Sequence, residues 1–393
     1  MPDQSNNAAA SRGSGSVFAR YVLAQSGMAK VDAARLGGVD LVKRLAVEKR
    51  NPQMRIPLLD TERPIVAAPM AGGPTTVALA TAVADAGGFP FLAGGYKTAA
   101  GLRDEIVALR ASGAPFGVNL FVPGDNEFDR AAFAAYAAEL GPEASRFGVS
   151  VDPEPVTDDD NWDEKFALLV GQPVPVVSFT FGLPVATDIG SLRERGTRVL
   201  ATVTTPEEAA EATARGVDGL VVQGADAGGH SATFDPERDP APLALAELIA
   251  GVRKKSELPL IAAGGITSSD AVREVLTAGA IAAAVGTLLL RTDEAGTSAV
   301  HRAALSDPEF DRTVITRAFT GRPARALHND FIAAHGANAP VAYPAVHHLT
   351  RPIRQAATKT GDTQRVHLWA GTGYSEAPTG PAANVIRALW PNE

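Results

Sequence analysis

Short apolar runs recur along this chain, each closed by Gly, Pro or Thr. They are Pro64–Ala68, Phe89–Ala93, Phe116–Phe121, Val174–Thr180, Arg198–Thr202, Gly219–Val222, Leu260–Ala263 and Ala282–Thr287. The apolar residues are consecutive rather than alternating, the pattern of strands buried on both faces of a parallel sheet. Most runs are followed by a stretch of helical length rich in Ala, Leu, Glu and Arg. Thr205-Pro206-Glu207-Glu208 opens one of these. Thr205 suits the cap, Pro206 the first turn, and Glu208 completes a capping box. The next strand begins about one helix later, a βα spacing. Eight such strands alternating with helices predict a (β/α)8 TIM barrel. The competing arrangement is an open doubly wound sheet. No strand in the set reads as antiparallel.

One connection breaks the rhythm. Residues 122–171 are acidic and contain Pro, with helices expected at Phe128–Leu140 and Asn161–Val170. This reads as an insertion after the third strand that covers the barrel mouth. Beyond Arg302 the βα pattern weakens, and Thr316–Tyr374 reads as a mixed, loop-rich cap. The expected organisation is a tail at 1–16, a barrel at 50–310 and a C-terminal cap or substrate region at 311–393.

Composition narrows the partners. Among 393 residues, 45% are hydrophobic, enough for a large core, and the formal net charge is -8. Lys and Arg are scattered, which argues against nucleic acid and anionic membrane as partners. There is no cysteine, so thiolate nucleophiles, disulfides and Cys-ligated metals are excluded. No apolar run reaches the length of a membrane helix. Met1–Ser16 lacks the basic start and apolar middle of a secretory signal and reads as disordered, with the cytoplasm as the expected location. A monomer and a homodimer are both compatible.

In a barrel the active site lies where the strands end. Those ends supply Pro69-Met70-Ala71-Gly72-Gly73, Gly94-Gly95-Tyr96-Lys97, Asn119, Ser178 with Thr180, Gln223 through Gly228-Gly229-His230, Gly264-Gly265-Ile266-Thr267 and Gly286-Thr287. Glycines crowd the ends of the seventh and eighth runs, where backbone N–H groups can meet a phosphate that a Cβ would hold away. Ser268-Ser269-Asp270 supplies a helix cap just beyond. Amide side chains at Asn119 and Gln223 suit the edge of a planar heterocycle. Together they suggest a phosphorylated aromatic cofactor, and FMN fits. A pyridine phosphate fits less well, because Lys97 is the one strand-end lysine. Each feature alone has a plainer reading: a tight turn for a Gly pair, a backbone bond for Asn119, core filling for Met70.

In sequence order these pieces resemble the nitronate monooxygenases. The resemblance rests on PIVAAPMAGGP (64–74), FLAGGYKT (91–98), FGVNLF (116–121), VSFTFGLP (177–184), VQGADAGGH (222–230), LIAAGGI (260–266) and AVGTLLL (284–290). TGRPAR (320–325) and YPAVHHLT (343–350) are similar to the family's larger bacterial and fungal branch. The resemblance covers Ile56 to Trp369. It implies a barrel that holds non-covalent FMN and oxidises alkyl nitronates with O2 to a carbonyl compound and nitrite. Propionate 3-nitronate detoxification is one such role. It places Asn119, Gln223, Gly228, Gly265 and the backbone of Ala284, Val285, Gly286 and Thr287 at FMN; Met70, Gly229 and Gly264, at the same strand ends, are further cofactor-side candidates. It makes His230 the catalytic histidine. Ala284 stands where the family often has Gln, and Ser231 where a basic residue is common.

His230 has two candidate roles. Protonated, it donates to the nitro oxygens of a nitronate; neutral, it removes the α-proton of a nitroalkane. Tyr96, Lys97 and Tyr343 are secondary substrate-side candidates. His347-His348 has no spaced carboxylate set beside it, so no metal site is expected and the pair reads as structural or surface. His301, His328, His335 and His367 belong to no motif. Three rival functions remain: an FMN-dependent NAD(P)H enoyl-thioester or quinone reductase, a non-redox sugar-phosphate barrel, and a flavin binder without turnover.

Overall fold

A computed structural model describes residues 56–390 apart from 57 and 126. The expected tail (1–16) and the first residues assigned to the barrel (50–55) lie outside the described residues. The strands are β1 (Ile65–Ala67), β2 (Phe89–Ala93), β3 (Gly117–Phe121), β4 (Val176–Thr180), β5 (Arg198–Val203), β6 (Gly219–Gln223), β7 (Gly229–His230), β8 (Leu260–Ala263), β9 (Ala282–Val285), β10 (Thr313–Thr316) and β11 (Ala324–Leu327). Eight of them close a parallel barrel in the order β1-β2-β3-β4-β5-β6-β8-β9. Closure is explicit in the pairing of Ile65 with Ala283 and Ala67 with Val285. That pairing eliminates the open sheet.

Side chains two apart on a strand share a face. The inward set is apolar at the base: Val66, Phe89, Phe91, Val176, Leu200, Ile261 and Ala282 form one buried cluster. Gly117 is required there, because a Cβ would lie 2.2 Å from the Phe91 ring. Toward the strands' C-terminal ends the cavity wall turns polar, with Asn119, Ser178, Thr180, Thr202 and Gln223. Outward residues such as Ile65, Val118, Val177 and Val199 pack with the surrounding helices in a second, larger cluster.

Thr205 caps the helix Pro206–Arg215 by accepting from the Glu208 amide at 3.1 Å. The other half of the expected capping box is absent. Buried Glu208 instead accepts from the Thr204 amide (2.6 Å) and the Phe234 amide (2.9 Å) and pairs with Arg238. The carboxylate thus ties two loops together, a stronger use than closing its own cap.

Helices Arg130–Glu139, Gly141–Arg146 and Trp162–Gly171 lie between β3 and β4. Phe133, Tyr136 and Leu140 pack with Phe319, Phe331, Val346 and Ile353 from the C-terminal region. That region is more regular than its sequence suggests. It contains the 16-residue helix Ala345–Thr360, despite Pro352 within it, and the antiparallel sheet β10-β11-β7. The last helix, Ala382–Leu389, returns to the barrel's outer layer: Val385, Ile386 and Leu389 share a core with Leu79 and Val83. Residues after 310 therefore build both the antiparallel sheet with β7 and part of the barrel's outer helical layer. No described helix is long and apolar enough to cross a membrane.

Candidate active site

The strand ends surround a cavity of about 390 Å³. Met70, Tyr96, Asn119, Gln223, Gly228, Gly229, His230, Gly264, Gly265, Ala284, Val285, Gly286 and Thr287 all line it. Lys97 does not; its ammonium pairs with Glu105 at 2.6 Å. Tyr343 lines an adjoining cavity of about 180 Å³ that shares Phe121 and Phe181 with the first. Its ring nevertheless reaches His230, with centroids 5.8 Å apart.

At the glycine end, Gly264 (φ +109°) and Gly265 (φ +71°) adopt left-handed backbone that a side chain would strain. The amides of Gly265, Gly286 and Thr287 donate to no described protein group. Three backbone N–H groups that are unpaired among the described residues and lie on one cavity wall suit an anion. A Cβ at Gly286 would lie between the Met70 sulfur (3.5 Å) and the Ala68 methyl (3.6 Å), both on the cavity wall. Ser268 caps helix Ser269–Thr277 by accepting from the Ala271 amide, and this N-terminus sits just past the Gly pair.

The two amide side chains behave differently. Asn119 donates through Nδ2 to the Ser178 carbonyl (3.2 Å), Ser178 Oγ (3.0 Å) and Thr180 Oγ1 (2.9 Å). A carbonyl can only accept, so this contact orients the amide and leaves Oδ1 without a described partner. Gln223 spends both ends on the loop beyond it, donating to the His230 carbonyl and accepting from the Ala232 amide.

His230 sits on β7, held by pairing with Ala324 on β11. Its Nε2 is 2.9 Å from Thr320 Oγ1. Phe181, Tyr343 and Trp369 wall in the ring at centroid distances of 5.6, 5.8 and 5.4 Å. Burial, reinforced by the positive charges of Arg322 and Arg354, depresses its pKa to about 3, so the imidazole is neutral at neutral pH.

Sequence reasoning missed much of this surrounding shell. His301, His367 and Trp369 line the cavity. Arg354 is buried with no carboxylate partner among the described residues and holds the His347 carbonyl at 2.8 Å. The His347 ring stacks on Tyr96 at 4.4 Å, so His347 is part of the mouth and not a surface residue. Its neighbour His348 pairs with Asp158 at 3.0 Å. Arg322 lies over the Phe181 ring at 4.0 Å and donates to the Thr233 carbonyl. Tyr96 (φ +64°) and Phe181 (φ +79°) are aromatic residues in left-handed backbone, a strain that persists only where surrounding structure imposes it. That conformation was a hidden signal: both residues adjoin Gly or a Gly-rich turn at a strand end.

A family model described as nitronate monooxygenase matches residues 55–392. A nitronate monooxygenase of Pseudomonas aeruginosa is 36% identical over 343 residues, covering 84% of this chain and 96% of that protein. One from Paraburkholderia phytofirmans is 35% identical over 345 residues, covering 85% and 93%. Among solved structures, a nitroalkane oxidase from Streptomyces ansochromogenes is 48% identical with a TM-score of 0.81, covering 84% of this chain and 95% of its own. FabK from Thermotoga maritima shares the fold at 24% identity and a TM-score of 0.65, covering 84% and 93%.

Proposed function

This chain belongs to the nitronate monooxygenase family of oxidoreductases, and on that premise we propose that it binds FMN at the barrel mouth and oxidises alkyl nitronates with O2, releasing a carbonyl compound and nitrite. The observation that carries this reading is the joint placement of three unpaired backbone amides and a neutral, desolvated histidine on one cavity.

The residues fit the cofactor. The Gly265, Gly286 and Thr287 amides would take the phosphate, aided by the N-terminus of Ser269–Thr277. The cavity volume falls within the usual range for a small-molecule site. Ala284 offers a methyl where a Gln amide is common in the family, so phosphate recognition here relies on backbone. Asn119 Oδ1 is a free acceptor for the ring's edge. When bound, FMN supplies the electron-accepting ring that no side chain provides.

The protein's own part is to bind an anion and exclude water. Aromatic rings from Tyr96, Phe181, Tyr343 and Trp369 keep the mouth apolar around His230. Arg322 and Arg354 bring positive charge with no carboxylate ion pair among the described residues, which favours a bound nitronate over a neutral product. A neutral His230 favours the proton-abstracting role, which extends the substrates to neutral nitroalkanes. The 48% identity to a nitroalkane oxidase supports that extension.

The test is an absorbance spectrum followed by anaerobic mixing. The expected result is a yellow protein bleached by ethyl nitronate and not by NADH or NADPH, with nitrite appearing once O2 is admitted. A colourless protein that FMN cannot reconstitute would refute the cofactor. Bleaching by a nicotinamide alone would move the chain to the reductase reading.

A further inference from the structure

Thr320 lies in the turn between β10 and β11, with 1% of its surface exposed. Its hydroxyl touches two groups: His230 Nε2 at 2.9 Å and the Arg322 carbonyl at 3.3 Å. A hydroxyl carries one hydrogen, and a carbonyl can only accept. No other described group donates to the Arg322 carbonyl. A buried carbonyl is rarely left unpaired, so the hydroxyl hydrogen belongs there. The hydroxyl oxygen is then left to accept from His230.

We propose that Thr320 is a positioning residue that fixes His230 as its Nε2–H tautomer and so presents Nδ1 as the base toward a nitroalkane. The proposal rests on the reading of His230 as a general base. Nδ1 has no described protein partner, and the residue lines the cavity. In the step, the substrate's α C–H bond breaks and its proton bonds to Nδ1. The electron pair spreads over the nitro group, leaving a nitronate beside an imidazolium.

Many catalytic histidines are oriented by a carboxylate. None hydrogen-bonds His230 among the described residues. The titratable and charged groups around it are Arg322 from the β10–β11 turn, Arg354 and His347 from helix Ala345–Thr360, His367, and Tyr343. Both arginines disfavour the imidazolium and neither bonds the ring. Orientation therefore falls to a neutral hydroxyl. This suits a base that must stay unprotonated until substrate arrives.

The experiment compares Thr320→Val, which removes the hydroxyl at nearly constant volume, with Thr320→Ser, which keeps it. Each flavin-loaded variant is assayed on nitroethane and on preformed ethyl nitronate. Thr320→Val is expected to lower kcat/KM for nitroethane by about tenfold or more while nitronate turnover stays within about twofold, and Thr320→Ser to recover most of the loss. Equal losses on both substrates would overturn the proposal. Nitrogen-15 spectra of histidine-labelled wild-type enzyme decide independently, even should Thr320→Val fail to fold. A protonated Nε2 and bare Nδ1 at His230 support the proposal, and the reverse tautomer defeats it. His230→Asn checks the underlying reading by itself: nitroethane turnover that survives this change removes the general base, whatever Thr320 does.

Discussion

Gln223 clasps the loop that presents His230. Its Nε2 donates to the His230 carbonyl at 3.1 Å, and its Oε1 accepts from the Ala232 amide at 2.8 Å. Both hydrogen-bonding ends of the side chain are therefore committed to protein. The residue shapes the cavity wall by bracing the backbone on which the imidazole stands.

A clasp and a cofactor ligand predict different losses. Gln223→Leu leaves a carbonyl and an amide unpaired, at a cost of about 1–3 kcal/mol of stability. Turnover of nitroethane should fall with the displaced imidazole, while FMN affinity changes little. Paired measurements of kcat/KM and of FMN release on dilution check this. A variant that loses flavin but turns over normally when saturated with FMN would make Gln223 a cofactor ligand instead.

The contrast with Asn119 shows what a sequence can and cannot reveal about a site. Both amides are legible because strand ends in a barrel converge: Asn119 lies within the Phe116–Phe121 run, and Gln223 closes the run Gly219–Val222. The barrel was legible for the same reason: Phe89–Ala93 and Leu260–Ala263 are strands with the bounds their composition indicates. Hydrogen-bond partners carry no such periodicity. Thr320 reaches His230 across 90 residues, and Trp369 does so from a loop with no motif. The sheet that carries His230 was illegible because β7 is two residues long and is held by pairing with β11. Helix Ala345–Thr360 was obscured by Pro352, tolerated here in a helix whose apolar face is buried against the insertion.

The glycine cradle makes a prediction about space rather than strain. Gly286 has φ -122°, which any residue adopts, so Gly286→Leu should fold. Its side chain would project between Met70 and Ala68 on the cavity wall. The variant is expected to purify nearly colourless, with FMN affinity at least about 100-fold weaker, comparable to two displaced phosphate hydrogen bonds to backbone. Ultrafiltration with free FMN measures it. Undiminished affinity would place the phosphate elsewhere.

Arg322 couples two features of the mouth. Its guanidinium lies over Phe181, which is held at φ +79°, and its charge is one of the causes that depress the His230 pKa. A base with a lowered pKa loses activity only when the pH falls far enough to protonate it. The acid limb of kcat/KM for nitroethane should therefore lie well below the ordinary histidine value of 6.5. Arg322→Met removes the charge and should move that limb to higher pH. A limb near 6.5 in the wild type, or one unmoved in the variant, would contradict the electrostatic account.

The same burial makes the fold sensitive to acid. His230, His301, His347 and His367 are all held below their ordinary pKa, at about 3, about 4, about 2 and well below 6.5 respectively, with desolvation the first cause in each case. Each is neutral in the folded chain and titrates near 6.5 once exposed. Between those values the unfolded chain binds more protons, so stability rises with pH there. The stabilisation is complete above 6.5 and is lost as the pH falls toward the folded values. Each histidine should cost about 1.4 kcal/mol between pH 7.5 and 5.5. His301 is the cleanest probe, because its Nε2 is buried without a partner among the described residues and the residue has no place in the proposed chemistry. Urea unfolding of the flavin-free protein at pH 7.5 and 5.5 should show a smaller drop for His301→Gln than for wild type, by about the single-histidine amount. An identical drop in both would mean that His301 charges without penalty, and that the imidazoles around this cavity are better solvated than their packing indicates.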